Sequence, residues 1–134
     1  MSRGIRNNNP GNIDHNPANK WQGQLPHDRN IEKRFCRFET AEYGIRALFK
    51  LLRNYHKGGH NSVSKIISRY APSSDGNNTT AYIKGVAQSL GVDPHQVLEV
   101  NKSTLIALSK SIIRHENGKQ PYPEETFEKA FSLL

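Results

Sequence analysis

With 134 residues and 34% apolar side chains, the chain is long enough for one compact domain with its own core, and we assign residues 1–134 to that single domain. Nineteen lysines and arginines against 12 acidic residues give a net charge of +7, which favours polyanionic partners such as a bacterial cell wall or a nucleic acid. The basic residues are spread along the chain and form no single tract, so we expect no nucleic-acid partner, and no stretch is apolar enough to span a membrane.

The N-terminus and the cysteine content restrict where the protein is made and what it contains. The segment MSRGIRNNNPGN has no apolar core of the kind found in signal peptides, which predicts synthesis in the cytoplasm without a signal peptide. The single cysteine, Cys36, excludes an internal disulfide. Its position between phenylalanines in RFCRFET predicts a small buried side chain.

The first third of the chain is predicted to be mostly irregular. Residues 4–30 are rich in asparagine, glycine and proline, which indicates loop and turn. The segments KWQGQL and EKRFCRF flank the polar turn PHDRN and predict a small N-terminal β-hairpin.

From Thr40 onward the apolar residues recur at helical spacing. Capping residues and glycines predict six helices, which begin at Thr40, at Asn61 or Ser62, at Thr79 or Thr80, at Asp93 with an end near Val100, at Ser103 with an end at Gly118, and within YPEETFEKAFSLL. The predicted class is therefore mainly α, or α+β by arrangement.

Glu116 is an acid at the electrostatically unfavourable end of a predicted helix. It continues the inward-facing stripe of Leu105, Leu108 and Ile112, and it lies at the negative end of the helix dipole. Burial and the dipole both disfavour an ionised carboxylate, and a carboxyl that stays protonated is what a general acid requires. The alternative is a solvated helix end at which Glu116 pairs with Arg114 or a lysine.

Two further acids have locations that fit a second catalytic carboxylate. Glu42 lies in the first turn after Thr40, where the helix dipole stabilises negative charge, although acids are common in first turns for that reason alone. Asp14 lies beside PGNI in a polar loop, where it could orient a water molecule or close a turn.

Aromatic and amide side chains are suited to a sugar-binding cleft, because rings pack on pyranoses and amides hydrogen-bond to hydroxyl and N-acetyl groups. The alternative is that Trp21 belongs to the core and the asparagines form turns. The predicted substrate-binding residues are Asn8, Asn9, Asn12, Trp21, Gln22, Tyr82 and Tyr122.

The histidines do not indicate a metal centre. His56 and His60 are four residues apart, but Gly58 and Gly59 between them interrupt the helix that would align them. No spacing of histidine, cysteine and acidic residues predicts a metal site, and we expect no metal and no other cofactor.

Six segments carry a resemblance to a known family: RGIRNNNPGNI (3–13), KWQGQ (20–24), FETAEYGIRAL (38–48), IISRYAP (66–72), TTAYIKGVAQSLGV (79–92) and IIRHENGKQPY (112–122). In this order they resemble a family of small phage-encoded proteins that are described as virion structural proteins or endolysins. Related domains are similar to lysozyme-type peptidoglycan hydrolases, and IIRHENG is similar to the helix end that carries the catalytic glutamate of those enzymes. In those enzymes a β-hairpin follows that helix, whereas the predicted hairpin here precedes it, so the resemblance implies a lysozyme-like domain that is circularly permuted or otherwise rearranged.

The resemblance implies a muramidase that cleaves the β-1,4 bond between N-acetylmuramic acid and N-acetylglucosamine. Glu116 would protonate the leaving oxygen, and Glu42 would be the second carboxylate. The alternatives are a lytic transglycosylase, if Glu116 alone is essential, and a non-catalytic virion or cell-wall-binding protein. We expect a monomer whose partner is the peptidoglycan glycan strand, and which reaches the periplasm and cell wall through a holin, a virion or a secretion system.

Overall fold

Six α-helices make up the regular secondary structure of the protein, and the computed structural model describes all 134 residues. The helices are α1 (Arg3–Arg6), α2 (Ala41–Lys57), α3 (Val63–Tyr70), α4 (Thr79–Leu90), α5 (Lys102–Asn117) and α6 (Glu124–Ser132). A short 3-10 turn, Ser73–Asp75, lies between α3 and α4. The predicted mainly α class is confirmed. None of these helices combines the length and the apolar composition needed to cross a membrane.

Most helices begin and end at the residues that the capping pattern predicts. Thr40 Oγ1 accepts a hydrogen bond from Tyr43 N at 3.3 Å, and Ser62 Oγ accepts one from Lys65 N at 3.2 Å. Gly91 and Gly118 follow α4 and α5 in the left-handed conformation, as glycines that end helices commonly do. These local signals explain why the helix boundaries could be predicted from sequence.

Helices α2 and α5 form the centre of the molecule. Helix α2 packs against α3, α5 and α6, and helix α5 packs against α1, α2 and α4. The largest fully buried side chains of these two helices recur at spacings of three and four residues, as one apolar face of a helix requires: Ile45, Leu48, Phe49, Leu52, Leu105, Leu108 and Ile112. The last turn of α5, which contains Glu116, is therefore held by the core that precedes it.

The predicted N-terminal hairpin is wrong as a regular element. The two segments that should pair share one isolated antiparallel bridge, Gln24 with Phe38, and no strand forms. The buried carboxylate of Glu32 explains this, because it accepts the backbone N–H groups of Arg34 and Phe35 at 2.8 and 2.9 Å. Those N–H groups are consequently not available to a strand ladder.

Two other local predictions also differ from the structure. Residues 93–100 form a turn instead of a helix, because Leu98 N donates to Asn61 O at 2.8 Å and Pro94 O accepts from Ser64 N at 2.9 Å. These bonds tie the segment to the start of α3. Conversely, the N-terminal loop contains α1, whose cap is Ser2.

Candidate functional site

A cleft of about 340 Å³ lies between the N-terminal segment and the ends of α3 and α5. Its lining combines aromatic rings, amides and charged groups, and includes Asn12, Trp21, Tyr55, Arg69, Tyr70 and Glu116. This composition suits a polar ligand with flat faces, such as a sugar chain. The cleft brings together Glu116, Asn12 and Trp21, three of the residues predicted from sequence.

Glu116 is half-buried in the last turn of α5, and both of its carboxyl oxygens are hydrogen-bonded. Asn12 Nδ2 donates to Oε1 at 2.9 Å, and Tyr82 Oη donates to Oε2 at 3.0 Å. Both donors are neutral, and no cation forms an ion pair with Glu116. The predicted alternative of a pairing with Arg114 or a lysine is therefore wrong.

The N-terminal segment positions Asn12 against the end of α5. Asn12 has a φ of +51°, a conformation that asparagine adopts more readily than most residues. Asn117 Nδ2 donates to Pro10 O at 2.7 Å, so the turn that precedes Asn12 is bonded to the residue that follows Glu116. Gly4 keeps this junction close, since a Cβ there would lie 2.6 Å from Asn117 Oδ1.

Two tyrosines lie near the carboxylate of Glu116: Tyr82, which is buried, and Tyr70, which lines the cleft. Burial raises the pKa of Tyr82, and the neighbouring Tyr70 and the charge of Glu116 raise it further, so Tyr82 remains a hydrogen-bond donor. Burial, followed by the charge of Glu116, also raises the pKa of Tyr70. The hydroxyl of Tyr70 donates to Gly11 O, which connects α3 to the N-terminal turn. The Tyr82 ring stacks on His115 with centroids 3.6 Å apart.

Another part of the cleft lining carries charged side chains. Arg34 Nε donates to Asp14 Oδ1 at 2.6 Å, and Arg34 also lies 3.9 Å from Asp75. The guanidinium of Arg69 lies 5.5 Å from the centre of the Tyr55 ring. Asp14 and Asp75 are thus the other two carboxylates in the cleft lining, and both lie close to Arg34.

Glu42, the predicted second carboxylate, does not line the cleft. It lies in the first turn of α2, as predicted, and close enough to Tyr122 that its charge, after burial, contributes to raising the pKa of that phenol. The structure therefore does not bring Glu42 together with Glu116 in one cavity.

The other predicted substrate-binding residues also lie outside the cleft lining. Asn9 is buried, and its amide bonds to the backbone of Ile13 and Cys36. Asn8 donates to Phe38 O, and Gln22 lies in a neighbouring depression. Tyr122 packs against Phe127, and its hydroxyl is buried. Tyr82 donates a hydrogen bond to Glu116 but does not line the cleft.

The thiol of Cys36 is not available for nucleophilic chemistry. Its side chain is 1% exposed, and burial raises the pKa of the thiol to about 11. A protonated, enclosed thiol is a packing group, as its position between phenylalanines predicts.

Sequence reasoning missed Arg34, Arg69 and Tyr70 as cleft residues. Their sequence positions carry no distinguishing pattern, because they reach the cleft through contacts with distant segments. The contact from Tyr70 to Gly11, for example, spans 59 residues of sequence.

Comparison with known proteins finds a relative among phage proteins. The chain is 38% identical over 133 residues to Protein P5 of Pseudoalteromonas phage PM2, and the match covers 97% of this chain and 80% of the relative. No protein-family model matches the chain.

Proposed function

The chain belongs to the family of the phage protein P5, and we propose that it is a lysozyme-like glycosidase that cleaves the β-1,4 bond of peptidoglycan glycan strands with Glu116 as the proton donor. The observation that carries this proposal is the position of Glu116. It is a helix-end carboxyl that faces a polar, aromatic cleft and is fixed by two neutral donors. The net charge of +7 supports residence on an anionic wall.

In the proposed reaction, Glu116 transfers its proton to the glycosidic oxygen as the bond to the anomeric carbon breaks. The carboxylate that results accepts the hydrogen bonds from Asn12 and Tyr82, which stabilise its new negative charge. The sugar that remains has oxocarbenium character and is captured by an oxygen nucleophile. Glu116 then accepts the proton of that nucleophile and is ready for another cycle.

The nucleophile distinguishes two versions of this activity. A hydrolase uses water, with Asp14 as one of two further carboxylates in the cleft lining that could orient it. A lytic transglycosylase uses a hydroxyl of the sugar itself and needs no second carboxylate. The location of Glu42 outside the cleft favours the transglycosylase over the hydrolase that Glu42 was predicted to assist. Mass spectrometry separates them, since only the transglycosylase leaves 1,6-anhydro ends.

Loss of turbidity of purified peptidoglycan tests the proposal with a matched pair of variants. Glu116→Gln keeps the shape and removes the transferable proton, so we expect a rate at least about a hundredfold lower than wild type. Glu42→Gln makes the same chemical change outside the cleft, and we expect it to keep the wild-type rate. Equal rates for wild type and Glu116→Gln would refute the catalytic role. A wild-type protein that binds the wall without lysing it would favour the non-catalytic wall-binding alternative.

A further inference from the structure

A second depression lies beside the cleft, on the outer face of α2. We call it the basic groove; it has a volume of about 450 Å³ and is lined mainly by Asn19, Lys20, Trp21, Arg46, Lys50 and Asn54. Its lining contains three cationic side chains and no acidic residue. A concave surface with charge of one sign concentrates ligands of the opposite sign.

The basic groove is assembled from two distant parts of the chain. Arg46, Lys50 and Asn54 are four residues apart along α2, so they share one face of that helix. Lys20 comes from the loop that crosses this face. Arg46 Nε is bound to Leu133 O at 2.9 Å, whereas Lys20 and Lys50 form no ion pair. The two lysines are therefore free to bind an anion.

Two residues connect the basic groove to the cleft. Trp21 and Asn19 line both depressions, so the two share a wall. A linear polymer bound beside Glu116 can pass over Trp21 into the basic groove without leaving the surface. The aromatic ring and the amides of Asn19 and Asn54 suit a carbohydrate, and the lysines suit its acidic substituents.

We propose that the basic groove binds carboxylates on the portion of the glycan strand that flanks the bond cleaved at Glu116. The ligand class is a polymeric glycan with carboxylate-bearing substituents, such as the peptide stems of peptidoglycan. This inference rests on the proposed function, since it places the reacting part of the strand in the cleft. A single-stranded nucleic acid is the competing polyanion, and the shared wall with the Glu116 cleft is what favours the glycan.

The test is cosedimentation with insoluble peptidoglycan, either untreated or with its carboxylates amidated. The groove variant is Lys20→Gln/Lys50→Gln, which leaves the structural bond of Arg46 intact. The control is Lys65→Gln/Lys129→Gln, which removes the same charge from two exposed lysines without ion pairs elsewhere on the molecule. We expect the groove variant to bind untreated peptidoglycan about fivefold more weakly than the control, and the difference to disappear on amidated material.

Three results would overturn the assignment: equal binding by the two variants, a difference that persists after amidation, or a groove variant that loses affinity for single-stranded DNA but keeps it for peptidoglycan. All proteins in the binding assay also carry Glu116→Gln, so that binding is measured without cleavage of the glycan and the two proposals fail separately. If the groove lysines strengthen binding but the wild-type protein releases no fragments, the assignment of the basic groove is supported and the proposed glycosidase activity is refuted.

Discussion

Asn12 makes one of the two side-chain hydrogen bonds that hold the carboxyl group of Glu116. Its amide nitrogen donates to Oε1, while its own Oδ1 is buried without a hydrogen-bond partner. The loss of this side chain would therefore leave Tyr82 as the one side-chain donor to Glu116.

Replacement of Asn12 by glycine tests this contact while allowing the positive φ of the backbone. We expect Asn12→Gly to lower the rate of peptidoglycan cleavage about tenfold or more, because the carboxyl proposed as the proton donor loses one of its two side-chain hydrogen bonds. Asn8→Gly is the matched control, since Asn8 has a φ of +52° and lies outside the cleft. The prediction fails if the two variants have equal rates at equal thermal stability.

At the residue scale, sequence predicts a site residue when its local pattern is unusual. Glu116 was recognisable because an acid continued an apolar stripe, and Asn12 and Trp21 because amides and an indole suit a sugar cleft. Glu42 had only the common first-turn pattern, and the structure places it elsewhere. Tyr82 was predicted as a sugar-binding residue, but its ring is buried and only its hydroxyl reaches Glu116.

At the scale of elements, α2 and the N-terminal segment meet at Gly44. A Cβ at this position would lie 1.8 Å from Asn8 O, so no other residue fits without movement of the backbone. The contact holds the segment that carries Asn12 against the centre of the molecule. It also explains a glycine in the interior of a helix, where glycine is otherwise unfavourable.

Two alanine substitutions test the contact at Gly44. We expect Gly44→Ala to reduce the free energy of unfolding by about 3 kcal/mol, because the added methyl group overpacks the junction. Gly85→Ala lies in α4 with open space around the added carbon, and we expect it to be neutral or stabilising by up to about 1 kcal/mol. Denaturant unfolding gives both values, and a similar loss in the two variants would contradict the role of the close approach.

Helices were predictable from sequence because their signals are local, whereas the N-terminal third depends on distant contacts. Thr40 and Ser62 cap their own helices through bonds that span three residues. The predicted hairpin does not form because the Glu32 carboxylate accepts backbone N–H groups of that segment. The predicted helix at residues 93–100 does not form because Leu98 N donates to Asn61 O. Neither of these competing hydrogen bonds can be inferred from the sequence pattern of the segment whose predicted secondary structure it replaces.

At the scale of the whole molecule, the buried Glu32 ties the N-terminus to the rest of the domain. Arg3 donates to both of its carboxylate oxygens at 2.7 and 2.6 Å, and Asn7 Nδ2 donates at 3.0 Å. The bonds from Arg3 are the main reason that the pKa of Glu32 lies well below its usual value of 4.5, and they outweigh burial, which raises it. The N-terminal segment therefore depends on an ionised Glu32.

This linkage predicts loss of stability in acid. A carboxylate with a lowered pKa in the folded state contributes stability above its unfolded pKa, near 4.5, and that contribution disappears as the pH falls below it. We expect Glu32→Gln to be less stable than wild type at neutral pH, and to lose less stability than wild type between neutral pH and about pH 3.5. Denaturant unfolding at both pH values measures the difference.

Glu99→Gln is the control for the acid experiment, because Glu99 is exposed and forms no ion pair. We expect its pH dependence to match that of wild type. A Glu32→Gln variant with the same acid sensitivity as Glu99→Gln would show that the N-terminal anchor does not depend on this charge.

We propose that the protein cleaves glycosidic bonds in the cleft with Glu116 as the proton donor. The most direct measurement is the mass of the soluble fragments that the protein releases from purified peptidoglycan, compared among wild type, Glu42→Gln and Glu116→Gln. We predict that wild type and Glu42→Gln release disaccharide–peptide fragments with broken β-1,4 bonds and that Glu116→Gln releases none. The same glycan fragments from Glu116→Gln, or intact glycan strands with cut peptides from wild type, would contradict the account.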